Sequence, residues 1–332
     1  MANYKDIHGV NIETVTSNPD NPANGQVWYN STDQKLRANA QTTAGAWATS
    51  NDINTARGRL AGDGTQDDAV IFGGHHPGSK NETEIYNGTS WTEVNNLNLA
   101  RSQHGAAGSS STAAIGFAGT AAPPFNAIKD ETESWNGTSW TEVNDLNTAR
   151  RIVAGCGIET SALCVGGYTT ETIANNESWN GTSWTEVADL NQTKYFSGSG
   201  AGVSNTSALC AGGNDATTNN LALTESWNGS SWTELNNLNQ GKYGIGGSGT
   251  QTSALAAGGA IPSDSNTANT ELWNGTSWSE QNNLNTATSQ TASGGTTSAG
   301  FVAGGGTSPP VIAKTEEWNG AGANDTKEFD LS

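Results

Sequence analysis

A phrase of eight residues, Glu133-Ser-Trp-Asn-Gly-Thr-Ser-Trp140, returns along this chain at near-constant intervals. It reappears as Glu177 to Trp184, Glu225 to Trp232 and Glu271 to Trp278. An earlier copy, Glu84 to Trp91, carries Tyr86 in place of the first Trp, and a sixth begins at Glu316 with Trp318-Asn319-Gly320 before it departs. The turn asparagines Asn87, Asn136, Asn180, Asn228, Asn274 and Asn319 are 49, 44, 48, 46 and 45 residues apart. A period of this size signals stacked supersecondary units. Two other landmarks keep step. Paired glycines precede the phrase at Gly73-Gly74, Gly166-Gly167, Gly212-Gly213, Gly258-Gly259 and Gly304-Gly305, while the second copy has only Gly119. A linker such as Asp145-Leu-Asn-Thr-Ala-Arg150 follows each pair of aromatics, and its relatives start at Asp52, Asn96, Asp189, Asn237 and Asn283.

Each unit reads as four short strands. In the third unit these are Arg151 to Gly155, Ser161 to Val165, a strand holding Glu177 and Trp179, and one holding Trp184 and Val187. Asn-Gly between the last two is a strong hairpin signal because it tolerates positive φ. Trp179 and Trp184 share a face whether the loop has two residues or four, since side chains alternate with period two. The first two strands are rich in Ala, Gly and Ser, and the last two carry the Trp. That taper suits inner strands crowding an axis and outer strands diverging from it. The predicted fold is therefore all-β: a six-bladed β-propeller with four antiparallel strands per blade. Trp135, Trp140, Trp179, Trp184, Trp227, Trp232, Trp273, Trp278 and Trp318 are expected between blades. Gly166, Gly167, Gly212, Gly213, Gly258 and Gly259 are expected at the ends of second strands.

Counting strands predicts how the ring closes. The sixth unit lacks a Trp strand after Gly320, while Gly45-Ala-Trp47-Ala-Thr-Ser-Asn-Asp52 is such a strand without a unit of its own. Trp47 is thus expected to complete blade six. Residues 1–43 stand outside the repeat as an attachment segment, within which Gln26 to Leu36 can form a short hairpin. Residues 44–332 form the propeller, with Thr326 to Ser332 either an added edge strand or a contact for a neighbour.

The formal net charge of −18, from 14 Lys and Arg against 32 Asp and Glu, repels phosphate backbones and anionic lipid. Neither nucleic acid nor a membrane is an expected partner, and no apolar run reaches the roughly 18 residues that span a bilayer. Met1 to Val10 has no basic stretch followed by an apolar core, so it does not read as a secretory signal. Cys156, Cys164 and Cys210 are an odd set in apolar stretches and read as buried small hydrophobes, with no disulfide predicted.

Double glycine, then Glu, an aromatic and a Trp at fixed offset resembles the kelch repeat, over about residues 52 to 320. The turn Asn-Gly-Thr-Ser is shorter than the usual kelch loop. In wording the repeats resemble kelch-like proteins of tailed phages of marine bacteria. The stretch Pro22-Ala-Asn-Gly-Gln-Val-Trp-Tyr-Asn-Ser-Thr-Asp-Gln-Lys-Leu36 is similar to a hairpin of phage structural and fibre proteins. The resemblance implies a non-catalytic virion protein, assembled in the bacterial host cytoplasm: a tail-fibre, receptor-binding or capsid-surface component. It implies other virion proteins as partners through the N-terminal segment, a host-surface glycan or protein as receptor, and a homo-oligomer or multiple copies per particle. The alternative is a bacterial carbohydrate-binding or adhesion module.

No catalytic residues, metal or cofactor are expected. His8, His75, His76 and His104 do not recur. The Cys-Tyr cofactor and His pair of galactose-oxidase-type propellers have no counterpart, nor has the Arg cluster of sialidases. The Glu of each phrase occurs sixfold, which argues for structure. Arg57, Arg101, Arg150, Lys194 and Lys242 hold matching positions, suited to pairing with these acids, and Thr288 breaks the set. Asn-Gly-Thr and Asn-Gly-Ser also form glycosylation sequons, which turn chemistry explains fully.

Overall fold

Alternating side chains on both sides of each Asn-Gly turn let a strand pair bury one face, and antiparallel ladders form at the first five copies. The structure is a computed structural model that describes residues 12–19, 26–41, 45–121, 127–195, 200–215, 220–262, 265–306, 311–320 and 324–329. Among these there is no helix. The chain divides into two units, Trp47–Trp318 and a second made of Met1–Ala46 with Asn319–Ser332. The domain boundary expected between residues 43 and 44 lies outside the described residues.

The larger unit is built of four-stranded antiparallel sheets with a propeller-like order. The first comprises Ala61–Thr65, Asp68–Phe72, Thr83–Tyr86 and Trp91–Val94, and the second Gly105–Ser110, Ala113–Phe117, Thr132–Trp135 and Trp140–Val143. The third holds Ala154–Ile158, Ser161–Tyr168, Thr172–Trp179 and Trp184–Val187. The fourth holds Ala201–Ser204, Ser207–Ala211, Thr224–Trp227 and Trp232–Leu235. Gly246–Thr250, Ser253–Ala257, Thr270–Trp273 and Trp278–Gln281 make the fifth. A further sheet runs Ala292–Gly295, Ala299–Ala303, Thr315–Asn319 and then Ala46–Ser50. First strands of consecutive sheets touch, and Ala61–Thr65 touches both Gly105–Ser110 and Ala292–Gly295.

The hairpin loop has four residues. Trp135 lies directly opposite Trp140, and Asn136 Oδ1 accepts the backbone N–H of Thr138 and of Ser139, each at 2.9 Å. This Asx cap recurs at Asn87, Asn180, Asn228 and Asn274. Where the second strand ends, Gly258 and Gly259 take φ of 65° and 110°. A Cβ on Gly258 would fall 2.7 Å from the Thr288 carbonyl oxygen, so both conformation and space select glycine. In the second sheet Ala118 occupies the first of these positions at φ 65°.

Apolar clusters lie between successive sheets. One joins Ala107, Ile115 and Phe117 of the second sheet to Cys164, Trp179 and Trp184 of the third. Phe72 meets Trp140 edge-on at 4.6 Å, and Phe117 meets Trp184 at 4.8 Å. The three cysteines are free and buried.

The smaller unit contains Glu13–Val15, parallel to Val27–Asn30, which pairs antiparallel with Lys35–Gln41. The expected hairpin is therefore present, with Trp28 fully buried. Asn18 Oδ1 gathers three donors: Trp28 Nε1, Asn30 Nδ2 and Arg37 Nη1, the last at 2.6 Å. The C-terminal strand Asn324–Phe329 pairs antiparallel with Lys35–Gln41, Leu36 opposite Phe329. The tail thus belongs to this sheet and adds no edge to the strand Thr315–Asn319.

Candidate functional site

Most recurrent polar groups of the phrase have a repeated partner. The outer-strand indole reaches the preceding sheet: Trp140 Nε1 donates to Thr83 Oγ1, Trp184 to Thr132, Trp278 to Thr224 and Trp91 to Thr315, at 2.9–3.0 Å. Trp47 Nε1 donates to Thr270 Oγ1 at 2.9 Å, and its ring lies 5.3 Å from that of Trp318. Trp232 breaks this series because Asn176 stands where the others have Thr, and its indole N–H has no partner among the described residues. The inner indoles of Trp135, Trp179, Trp227, Trp273 and Trp318 each donate to a backbone carbonyl of their own sheet's first turn. None of these tryptophans is more than 8 % exposed.

The predicted row of cations is buried against the acids. Arg57 pairs with Glu84 at 2.5 Å, Arg101 with Glu133, Arg150 with Glu177 at 2.6 Å, Lys194 with Glu225 at 2.9 Å and Lys242 with Glu271 at 3.5 Å. The same carboxylates also accept backbone N–H groups of the linkers, as Glu177 does from Asn147 and Thr148. These acids hold linkers to sheets and are closed to substrate.

The first strands enclose a cavity of about 330 Å³. At one end the chain enters each first strand through a residue in the left-handed region: Arg59, Gln103, Ile152, Gly244 and Gln290, with φ of 56–64°. Their backbones are linked in sequence. Gln103 N donates to Arg59 O, Ile152 N to Gln103 O, Gln290 N to Gly244 O and Arg59 N to Gln290 O, at 2.7–3.0 Å. Phe196, the counterpart in the fourth sheet, lies outside the described residues. Four non-glycine residues in this region are a store of strain.

Basic and aromatic side chains gather at this end. Arg59 Nε donates to Gln290 Oε1 at 3.2 Å. The guanidinium of Arg151 lies 5.2 Å over the ring of Tyr168, which meets Tyr195 edge-on at 6.0 Å. Burial and then Arg151 lower the pKa of Arg59, and burial and then Arg59 lower that of His75. His75 thus lies close to the Arg59 guanidinium. Among the described residues no group of three His, Cys, Asp or Glu could hold a metal.

Two cavity-lining residues were not singled out as sites by sequence. Asp63 accepts N–H from Gly64 at 2.8 Å and from Gly108 at 3.2 Å, and burial pushes its carboxyl up to about 7. His104 is buried beside Phe72, and burial, then Arg101, holds its pKa well below the usual value. Neither recurs, so no periodic signal marks them.

No protein-family model and no curated protein matches this chain.

Proposed function

We propose that this chain is a non-catalytic, surface-exposed phage virion protein whose larger unit is a closed six-bladed kelch-like propeller. Closure rests on Trp47, which makes with Thr270 and Trp318 the same two contacts, to a Thr hydroxyl and to an inner-strand Trp, that Trp140, Trp184 and Trp278 make. The receptor-binding form of this reading rests on one observation: Arg59, at the strained end of the cavity, lies close to Arg151, whose guanidinium covers Tyr168 beside Tyr195, on a chain of net charge −18. Tyrosine faces stack on sugar rings, and arginine recognises carboxylate in a forked geometry. An acidic host-surface glycan fits this chemistry. The N-terminal segment joins the chain to other virion proteins, in multiple copies per particle.

The test has two arms. Antibody against the chain should label intact particles in electron micrographs. The purified chain should bind acidic polysaccharides over neutral ones, and Arg151→Ala with Tyr168→Ala should abolish that binding with the fold intact. Labelling with no glycan binding would favour a capsid-surface role. Glycan binding with no labelling would favour a bacterial carbohydrate-binding or adhesion module.

A further inference from the structure

The row of buried ion pairs has five cations and six acids. Glu316 is as buried as its counterparts and keeps their other partners: Asn285 N at 2.7 Å, Asn285 Nδ2 at 3.0 Å and Thr286 N at 2.8 Å. The cation's position is taken by Thr288. Its backbone is placed like that of Lys242: Thr288 N donates to Thr267 O as Lys242 N does to Leu221 O, and Thr288 O accepts from Gly259 N as Lys242 O does from Gly213 N. Only the side chain differs, and Thr288 Oγ1 reaches the Gly304 carbonyl at 3.4 Å. The nearest basic residue along the strand, Lys314, points its ammonium to Asp52 at the surface, 2.9 Å away. Among the described residues no ion pair reaches Glu316.

The other sheets show which oxygens receive a cation here. Lys242 Nζ contacts the carbonyl oxygens of Ala256 and Asn269 besides Glu271. Arg101 and Arg150 likewise donate to the carbonyl two residues before their Glu, at Glu131 and Asn175. The matching carbonyl beside Glu316 is that of Lys314, which accepts one bond from Gly304 N and has a lone pair to spare. A buried carboxylate beside carbonyl and hydroxyl oxygens needs a positive partner.

We propose that a monovalent cation, Na⁺, K⁺ or NH₄⁺, binds between Glu316, the Lys314 carbonyl and Thr288, in the place that Lys242 fills with its own ammonium. One carboxylate balances one charge, whereas Ca²⁺ and Mg²⁺ call for more oxygen ligands and usually more carboxylates. A bound ion here departs from the sequence expectation that the chain holds no metal. The ion does for the sixth sheet what a tethered cation does for the others.

Thermal unfolding of the full chain tests this, after refolding in choline chloride and at constant ionic strength. Replacing choline by NaCl, KCl or NH₄Cl should raise Tm saturably by about 2–4 °C for at least one ion. MgCl₂, CaCl₂ and EDTA should not reproduce the rise. Thr288→Lys should unfold at or above the ion-saturated temperature and lose the response. If that variant fails to fold, Glu316→Gln serves instead and should also be indifferent to the ion. An unmodified chain with equal Tm in choline and in all three salts would overturn the proposal. So would a response that persists in Glu316→Gln, or one given only by divalent ions.

Discussion

Gly258 and Gly78 both lie at positive φ, 65° and 76°, yet their surroundings differ. A Cβ on Gly78 meets nothing within 4 Å, so Gly78→Ala carries the conformational cost alone, about 1–2 kcal/mol. Gly258→Ala adds the collision with the Thr288 carbonyl and should cost more than about 2 kcal/mol in chemical denaturation. Near-equal losses would mean that the glycine pairs serve only turn conformation. Asp63 poses a question of charge. In the unfolded chain its carboxyl titrates near 3.8, and in the fold near 7. The folded state therefore holds the proton more tightly, and stability falls as pH rises from about 4 to 7. The deficit is complete above that range, with an upper limit of about 4 kcal/mol, less where cavity water screens the charge. Asp63→Asn should be the more stable protein at pH 8, with the gap closing below pH 4. A gap that stays constant with pH would contradict this.

The strand pairs explain how much could be read from sequence. The hairpins, the glycine pairs, the Trp positions and the cation row all repeat, and periodicity exposes them. The sequence is compatible with a loop of two residues or four, because the outcome turns on the Asx cap of one side chain. Removing that cap in Asn180→Ala should cost about 1 kcal/mol, read as a lower midpoint in urea with unchanged slope. Thr132→Val should cost about 1–3 kcal/mol, since it strands the buried indole N–H of Trp184. A neutral Thr132→Val would show that the orphaned indole of Trp232 is the ordinary case. The left-handed entry to each first strand was illegible. Arg59, Gln103, Ile152, Gly244 and Gln290 share a backbone conformation but not a common side-chain type. The smaller sheet was half legible: its hairpin has alternation, but the pairing of Asn324–Phe329 with Lys35–Gln41 joins chain ends without a shared motif.

At the scale of the molecule the question is what sealing the proposed ring would add. Trp184 and Trp47 have the same surroundings, each donating to a Thr hydroxyl and each with its ring 5.3 Å from a second Trp. They differ in connection. A four-residue loop ties Trp184 to Trp179, whereas Trp47 and Trp318 are brought together from opposite ends of the larger unit. An outer strand held only by local contacts would fray at little cost, and Trp47→Ala would then be mild. If the strand seals the ring, its loss exposes both the fifth and sixth sheets. Trp47→Ala should then cost about 3–5 kcal/mol, as much as Trp184→Ala, with unfolding still a single transition. Truncation separates the two units' contributions. Removing residues 1–43 together with 321–332 takes away the smaller sheet and should leave the larger unit folded. Extending the N-terminal cut through Asp52 removes the sealing strand and should lower Tm sharply. Equal melting temperatures for the two truncations would leave Trp47 a surface ornament and the ring open.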